Sequence, residues 1–342
     1  MKRRHWVLLL LLALIAGIRH IPHAGEWYAT RLYPSLSAAL SLLASPFPFS
    51  LDEWVVILSI LLLLTLPFIL ARRMKARRIL LLEVEIGAWL YAWFYLGWAC
   101  NYSRDNLLTR LGAQPKAYDE TAFKAFLSNY TDSLNYYALL RDTCYLPIPE
   151  HVEAEVKSLY RQIAPSARLC TPHDFQHPKQ VTFNRVYSGV GVLGYMGPFA
   201  AESHLNRQLL PDQYPFVYAH ELSHLLSVSN EAEANFWAFT VCTHSSEPHL
   251  RYCGYYGILP NVWRNAAALL PADDFEQWKA SLSPSVRQQI SHQSHYWSQL
   301  RSPFLDDVQS SLYNLFLKSN NISSGTKNYD QVVSLIITLS PQ

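Results

Sequence analysis

Charge is scarce in this chain. Asp, Glu, Lys and Arg make up 16% of its 342 residues, and the formal net charge is only +2. Beyond the first eighty residues no basic stripe interleaves with aromatics, which excludes the usual footprint of a nucleic-acid partner. The five cysteines (Cys100, Cys144, Cys170, Cys242 and Cys253) contain no Cys-x-x-Cys pair. One or two disulfides are allowed outside the cytoplasm but none is demanded, Cys242 and Cys253 being the nearest candidates. No internal repeat is present, and no long apolar run occurs after residue 100.

Half of the chain is nevertheless hydrophobic, enough for one sizeable globular domain plus membrane segments. Its apolar runs are Trp6–Ile18, Trp54–Leu70 and Ile79–Cys100, and the latter two have the length of a bilayer span. Trp6–Ile18 follows Lys2-Arg3-Arg4 and has the length of a signal-peptide core. No small-x-small cleavage site follows it before Arg19-His20, which favours an uncleaved anchor. Positive charge gathers at Lys2–Arg4 and at Arg72, Arg73, Lys75, Arg77 and Arg78, placing the N-terminus and the second interhelical loop in the cytoplasm. The expected protein is thus multi-pass in the bacterial inner membrane, with a membrane domain over 1–100 and an extracytoplasmic domain over 101–342. Glu83 and Glu85 fall near the cytoplasmic end of the third span, where interfacial water solvates them. Leu36–Leu43 reads as an interfacial helix before a Pro-rich break.

The sequence predicts a mainly α fold with a small β-sheet (α+β). Helical periodicity runs over Asp119–Arg141 and Pro149–Ile163, and later over Phe236–Val241, Asn261–Leu270, Asp274–Leu282, Ser285–Tyr296, Val308–Lys318 and Tyr329–Leu339. Gln180–Tyr195 is rich in Val, Tyr, Phe and Gly with a turn at Ser188-Gly189, so the sheet is expected there. Val192–Tyr195 is the candidate for an exposed edge able to pair with an extended peptide, an interior strand being the alternative.

The chemistry concentrates in His220-Glu221-Leu222-Ser223-His224 and Glu231-Ala232-Glu233-Ala234-Asn235. On a helix, histidines at i and i+4 lie one above the other, so both imidazoles reach one zinc at about 2.0–2.1 Å. A glutamate beside them can take a proton from water acidified by the metal, the general-base role in metal-assisted hydrolysis. Pro215 suits the first turn of such a helix, and Tyr218, Leu222, Leu225 and Leu226 form an apolar stripe beside the His/Glu face, so the motif is expected on an amphipathic helix.

Catalytic zinc usually takes a third protein ligand. Ser227–Asn230 reads as a turn with Asn230 as the next N-cap, which gives Glu233 a place in a capping box. Glu231 is then the expected third ligand and Glu233 the alternative. Asn235, four residues after Glu231, is positioned to orient a ligand by hydrogen bonding.

The Glu-x-x-Ala-Asn run after His-Glu-x-x-His resembles the third-ligand segment of gluzincin metallopeptidases, over about twenty residues. More of the chain resembles an uncharacterised family of bacterial membrane proteins with a zincin-like domain. The matching pieces are Pro48-Phe49-Ser50, Asn101-Tyr102-Ser103-Arg104, Gly197-Pro198-Phe199 with Glu202 and Asn206, the His220–His224 motif, and Phe316–Asn320. That resemblance implies a peptidase with these ligands and this topology. In two respects the chain departs from the pattern: Ser227 stands where related sequences usually carry Gly, and the step from His224 to Glu231 is shorter than in typical gluzincins. A metzincin's third histidine would fall at Asn230.

The expected function is zinc-dependent hydrolysis of peptide bonds outside the cytoplasm, with Zn2+ as cofactor and Glu221 as base. The partners are a peptide or protein substrate in the cell envelope and the lipid bilayer. An oxyanion stabiliser should complete the site, a positioned donor being worth roughly 2.7–4 kcal/mol. Of Tyr252, Tyr255, Tyr256, His244 and His249, Tyr252 is the candidate, against a packing role. A non-catalytic zinc-binding envelope sensor or binding module is the alternative. An intramembrane protease is disfavoured by the polar flanks Arg207–Gln213 and Ser227–Glu233.

Overall fold

The structure is a computed structural model describing residues 2–116, 119–143, 145–302 and 331–339. Cys144, the expected helix Val308–Lys318 and the segment Phe316–Asn320 lie outside the described residues. The protein is mostly helical with one small sheet. Its chain divides into two compact units: Met1–Asp105 with His173–Thr182 and Met196–His204, and Asn106–Pro172 with Phe183–Tyr195 and Leu205–Gln342.

The first unit begins with α1 (Arg3–His20), α2 (Ala24–Trp27), a π-helical turn (Tyr28–Leu32) and α3 (Tyr33–Ala44). Then come α4 (Leu51–Leu70), α5 (Ala76–Gly97) and a 3-10 turn (Ala99–Ser103). Among the described residues two helices, α4 and α5, are long and apolar enough to cross a membrane. The run at 6–18 qualifies only when α1 is joined to Ala24–Ala44, a pair bent by 117°, so the described residues hold two candidate spans, or three with that pair. Arg3, Arg4 and Arg19 on α1 are the physical reason it falls short alone. Arg4 Nε stands 2.7 Å from Glu85 Oε1, so Glu85 is paired rather than left to solvent.

Several segments that carry the family resemblance are joints of this unit. Ser50 caps α4 by accepting from Glu53 N at 2.9 Å, which satisfies an amide the helix cannot. Glu202 accepts from Asp52 N at 3.0 Å and is ion-paired with Lys179, while His204 Nε2 reaches Ser50 Oγ at 2.7 Å. Asp52 in turn accepts from Phe199 N at 2.6 Å. A side chain on Gly197 would stand 2.5 Å from Asp52 Cγ, so only glycine lets this contact close. Arg104 meets Glu26 at 2.8 Å, both side chains nearly buried.

The sheet comprises β1 (Lys179–Gln180), β2 (Gly194–Gly197) and β3 (Glu202–Leu205) in the order β1-β3-β2. Only the ends of the region expected to form strands do so: β1 and β2 overlap it at Gln180 and at Gly194-Tyr195, and β3 lies beyond it. Ser188-Gly189 closes a helix rather than a turn, because Asn184 and Ser188 satisfy each other and the chain near Gln208 instead of a strand partner. Val192 and Leu193 precede β2, an edge strand, and β3, the strand nearest the motif helix in sequence, is central and buried.

The second unit holds α6 (Leu107–Leu111), α7 (Glu120–Arg141), α8 (Pro149–Ala167) and α9 (Asn184–Gly189), then α10 (Tyr214–Leu225), α11 (Glu231–His244) and α12 (Pro248–Leu269). It closes with α13 (Ala272–Ser281), α14 (Pro284–Leu300) and α15 (Gln331–Leu339). Asp119 caps α7 by accepting from Ala122 N, and Pro149 opens α8 where its missing amide costs nothing. The helix expected from Asn261 begins at Pro248: Pro260 lies inside α12, tolerated because the helix is held by α7 and α11 on its flanks. α10 packs on α8, α11 and α12 at the centre of the unit.

Candidate metal centre

The motif helix α10 is interior, not amphipathic. Every residue from Pro215 to Leu225 is buried except His220, because α8, α11 and α12 cover it on several sides. Pro215 lies in its first turn, and Tyr160 Oη donates to Ala219 O at 2.8 Å, anchoring the helix one residue before the motif. The chain then reverses within a few residues. Ser227 does this with φ +80°, a left-handed conformation that glycine adopts without steric penalty. Asn230 Oδ1 accepts from Glu233 N at 3.0 Å and so starts α11.

This reversal brings His220, His224 and Glu231 together. The two imidazole Nε2 atoms are 3.1 Å apart, and Glu231 Oε2 lies 3.2 Å from that of His220 and 3.6 Å from that of His224. Atoms arranged tetrahedrally at zinc–ligand lengths of about 2.0–2.1 Å stand about 3.3–3.4 Å apart. The three spacings bracket that edge.

Each imidazole is held by its other nitrogen. His220 Nδ1 is 2.9 Å from Asn235 Oδ1, and His224 Nδ1 is 2.8 Å from the carbonyl of Val228. A carbonyl oxygen only accepts, so Nδ1 carries a proton, and Nε2 is the nitrogen whose lone pair a metal would take up in place of a second proton. Burial alone would strip the charge from His224, but the Glu231 carboxylate, with help from Glu221 and Val228, raises its pKa to about 9. For Glu231, burial opposes ionisation, and the His224 charge with hydrogen bonds from both imidazoles holds the carboxyl well below its ordinary value. The trio brings one potential ligand atom from each residue to a common point.

Glu221 is buried next to His220 and close enough to His224 for its charge to act on that ring. Glu233 points elsewhere: its carboxylate is ion-paired with fully buried Arg110 and accepts from Trp237 Nε1 at 3.0 Å. Its side chain therefore has structural partners of its own. Tyr252 belongs to a different group, packed on Tyr256, under the Arg141 guanidinium and within the field of Asp212. Sequence reasoning missed Arg110 and Val228, since a lone arginine and a backbone carbonyl leave no spacing to read.

A second group of metal-ligand type, Asp212, His249 and Cys253, is present as well. Cys100, Cys170, Cys242 and Cys253 are free thiols, all buried, so the pair named as nearest for a disulfide is not joined.

Fold and site define a mostly helical protein with membrane-length apolar helices and a His/His/Glu group at metal-ligand spacing. The chain belongs to the family described as Protein of unknown function (DUF3810), whose model matches residues 28–337. No curated protein and no solved structure matches it.

Proposed function

We propose that this protein is a membrane-anchored zinc metallopeptidase whose active site faces away from the cytoplasm. The observation that carries the proposal is the convergence of His220 Nε2, His224 Nε2 and Glu231 Oε2 at 3.1–3.6 Å, with Glu221 buried alongside. Placing the carboxylates of Glu221 and Glu231 side by side and away from water is costly unless positive charge pairs with them, and a divalent cation on His220, His224 and Glu231 would supply that charge. A purely structural site has no use for the extra carboxylate of Glu221.

Zinc bound there would supply Lewis acidity toward water and a peptide carbonyl. His220 and His224 present Nε2 because Asn235 and Val228 hold Nδ1–H. Glu231 contributes its anionic oxygen. Glu221 accepts the proton of the attacking water on its carboxylate and passes it to the leaving amine. The exterior orientation rests on the basic residues at 2–4 and 72–78. α10 is only twelve residues long and is not among the membrane-length helices, which favours hydrolysis beside rather than inside the bilayer.

The test is a peptide-library cleavage assay on the detergent-purified protein and its Glu221→Gln variant, with zinc measured in both. Cleavage by the parent, and loss of turnover with zinc retained in the variant, is the expected result. A variant that cleaves as fast as the parent removes Glu221 from the mechanism. Zinc without any cleavage by the parent turns the reading toward a binding module.

A further inference from the structure

Helix α12 places His249 and Cys253 four residues apart on one face, and Asp212, in the segment before α10, closes on them. Cys253 Sγ lies 3.6 Å from His249 Nε2, and Asp212 Oδ1 lies 3.8 Å from His249 Nδ1. With one donor atom taken from each residue, all three lie within 4.8 Å of one another. A sulfur at about 2.3 Å and a nitrogen at about 2.0–2.1 Å from one tetrahedral metal stand about 3.5 Å apart, close to the sulfur–nitrogen distance here.

All three side chains are buried. Arg141 grips Asp212, with Nε donating to Oδ1 at 3.2 Å and a terminal nitrogen paired with Oδ2, which fixes the carboxylate while leaving lone pairs on both oxygens. Tyr252, one residue from Cys253 and within the field of Asp212, has a hydroxyl that is buried without a hydrogen-bond partner among the described residues. Native interiors rarely tolerate such an orphan.

We infer that Asp212, His249 and Cys253 form a second, buried cation site for a thiophilic divalent metal of the zinc type. A thiolate and a carboxylate neutralise the two charges of the ion, and a neutral imidazole completes a thiolate–imidazole–carboxylate set that suits zinc or cobalt. The ion ties the loop before α10 to α12, and so braces the motif helix from its N-terminal side. This site is independent of the His220 group, which contains no sulfur.

Cobalt(II) tests it. The full-length protein in detergent is stripped of metal, reconstituted with cobalt, and its absorption spectrum recorded. A near-ultraviolet thiolate-to-cobalt band is expected in the parent, retained in His224→Ala and lost in Cys253→Ser. Visible ligand-field bands without the thiolate band in the parent would overturn the second site while leaving the His220 site standing. A thiolate band that persists in Cys253→Ser would overturn the assignment of this cysteine. Because the decisive band is read on the parent, a misfolded variant does not rescue the inference.

Discussion

The side-chain oxygen of Asn235 stands 2.9 Å from Nδ1 of His220, joining the second turn of α11 to the motif on α10. Such a contact sets the tautomer and aim of an imidazole, and its loss typically costs 10–100-fold in metal affinity. Asn235→Ala is therefore expected to weaken zinc binding by about that factor, and Asn235→Asp, which keeps an acceptor, to weaken it less. Chelator competition on the purified protein measures both. Equal affinity in parent and Asn235→Ala would show that the contact does not aim the ring.

Ser227 pays for its left-handed φ of +80°. Replacement by glycine relieves roughly 1–2 kcal/mol of steric cost, partly offset by the greater freedom of glycine in the unfolded chain. Ser227→Gly is expected to raise the thermal midpoint, and Ser227→Val to lower it, since a β-branched residue fits that region worst. Thermal unfolding monitored by circular dichroism decides. A lower midpoint for Ser227→Gly would contradict the strain.

Arg110 and Glu233 form an ion pair in which the arginine side chain is 0% exposed and the glutamate 8%. Removing one partner of a buried pair strands the other charge and costs about 3–5 kcal/mol, whereas replacing both is milder. Arg110→Met should therefore destabilise far more than the double change with Glu233→Gln, as read by denaturant unfolding. A single variant as stable as the parent would mean that the pair contributes nothing to holding the start of α11.

Glu202 is the group from which acid sensitivity is expected. Burial opposes its charge, but hydrogen bonds from His204, Lys179 and the Asp52 amide outweigh it and hold the pKa at about 2, against an ordinary value of 4.5. A depressed carboxylate stabilises the fold fully above the unfolded value and loses that stabilisation as pH falls through the folded one. Unfolding free energy should thus decline between about pH 4.5 and 2, with a shallower decline in Glu202→Gln. Identical acid profiles for the two proteins would remove Glu202 from that role.

Much of the candidate metal centre was legible because its parts are local. Helical spacing puts His224 over His220, and Asn230 signals the start of α11 in its own residue type. What the sequence hid depends on contacts far apart in the chain. Lys179 and Glu202 close on the N-terminus of α4 from more than a hundred residues away, and Arg110 reaches Glu233 across a similar gap. The His249–Cys253 spacing was readable in principle, but the helix was expected only from Asn261, and without a helix over 249–253 the two side chains share no face. Asn184–Gly189 misled for the opposite reason: its β-forming composition is overridden by side-chain hydrogen bonds that close a short helix.

The most direct measurement of the central claim is zinc content, by elemental analysis of the detergent-purified parent beside Glu231→Gln and Glu221→Gln. The expected result is that Glu231→Gln loses one equivalent of zinc relative to the parent while Glu221→Gln loses none. A Glu231→Gln protein that holds as much zinc as the parent would contradict the assignment of His220, His224 and Glu231 as one metal centre.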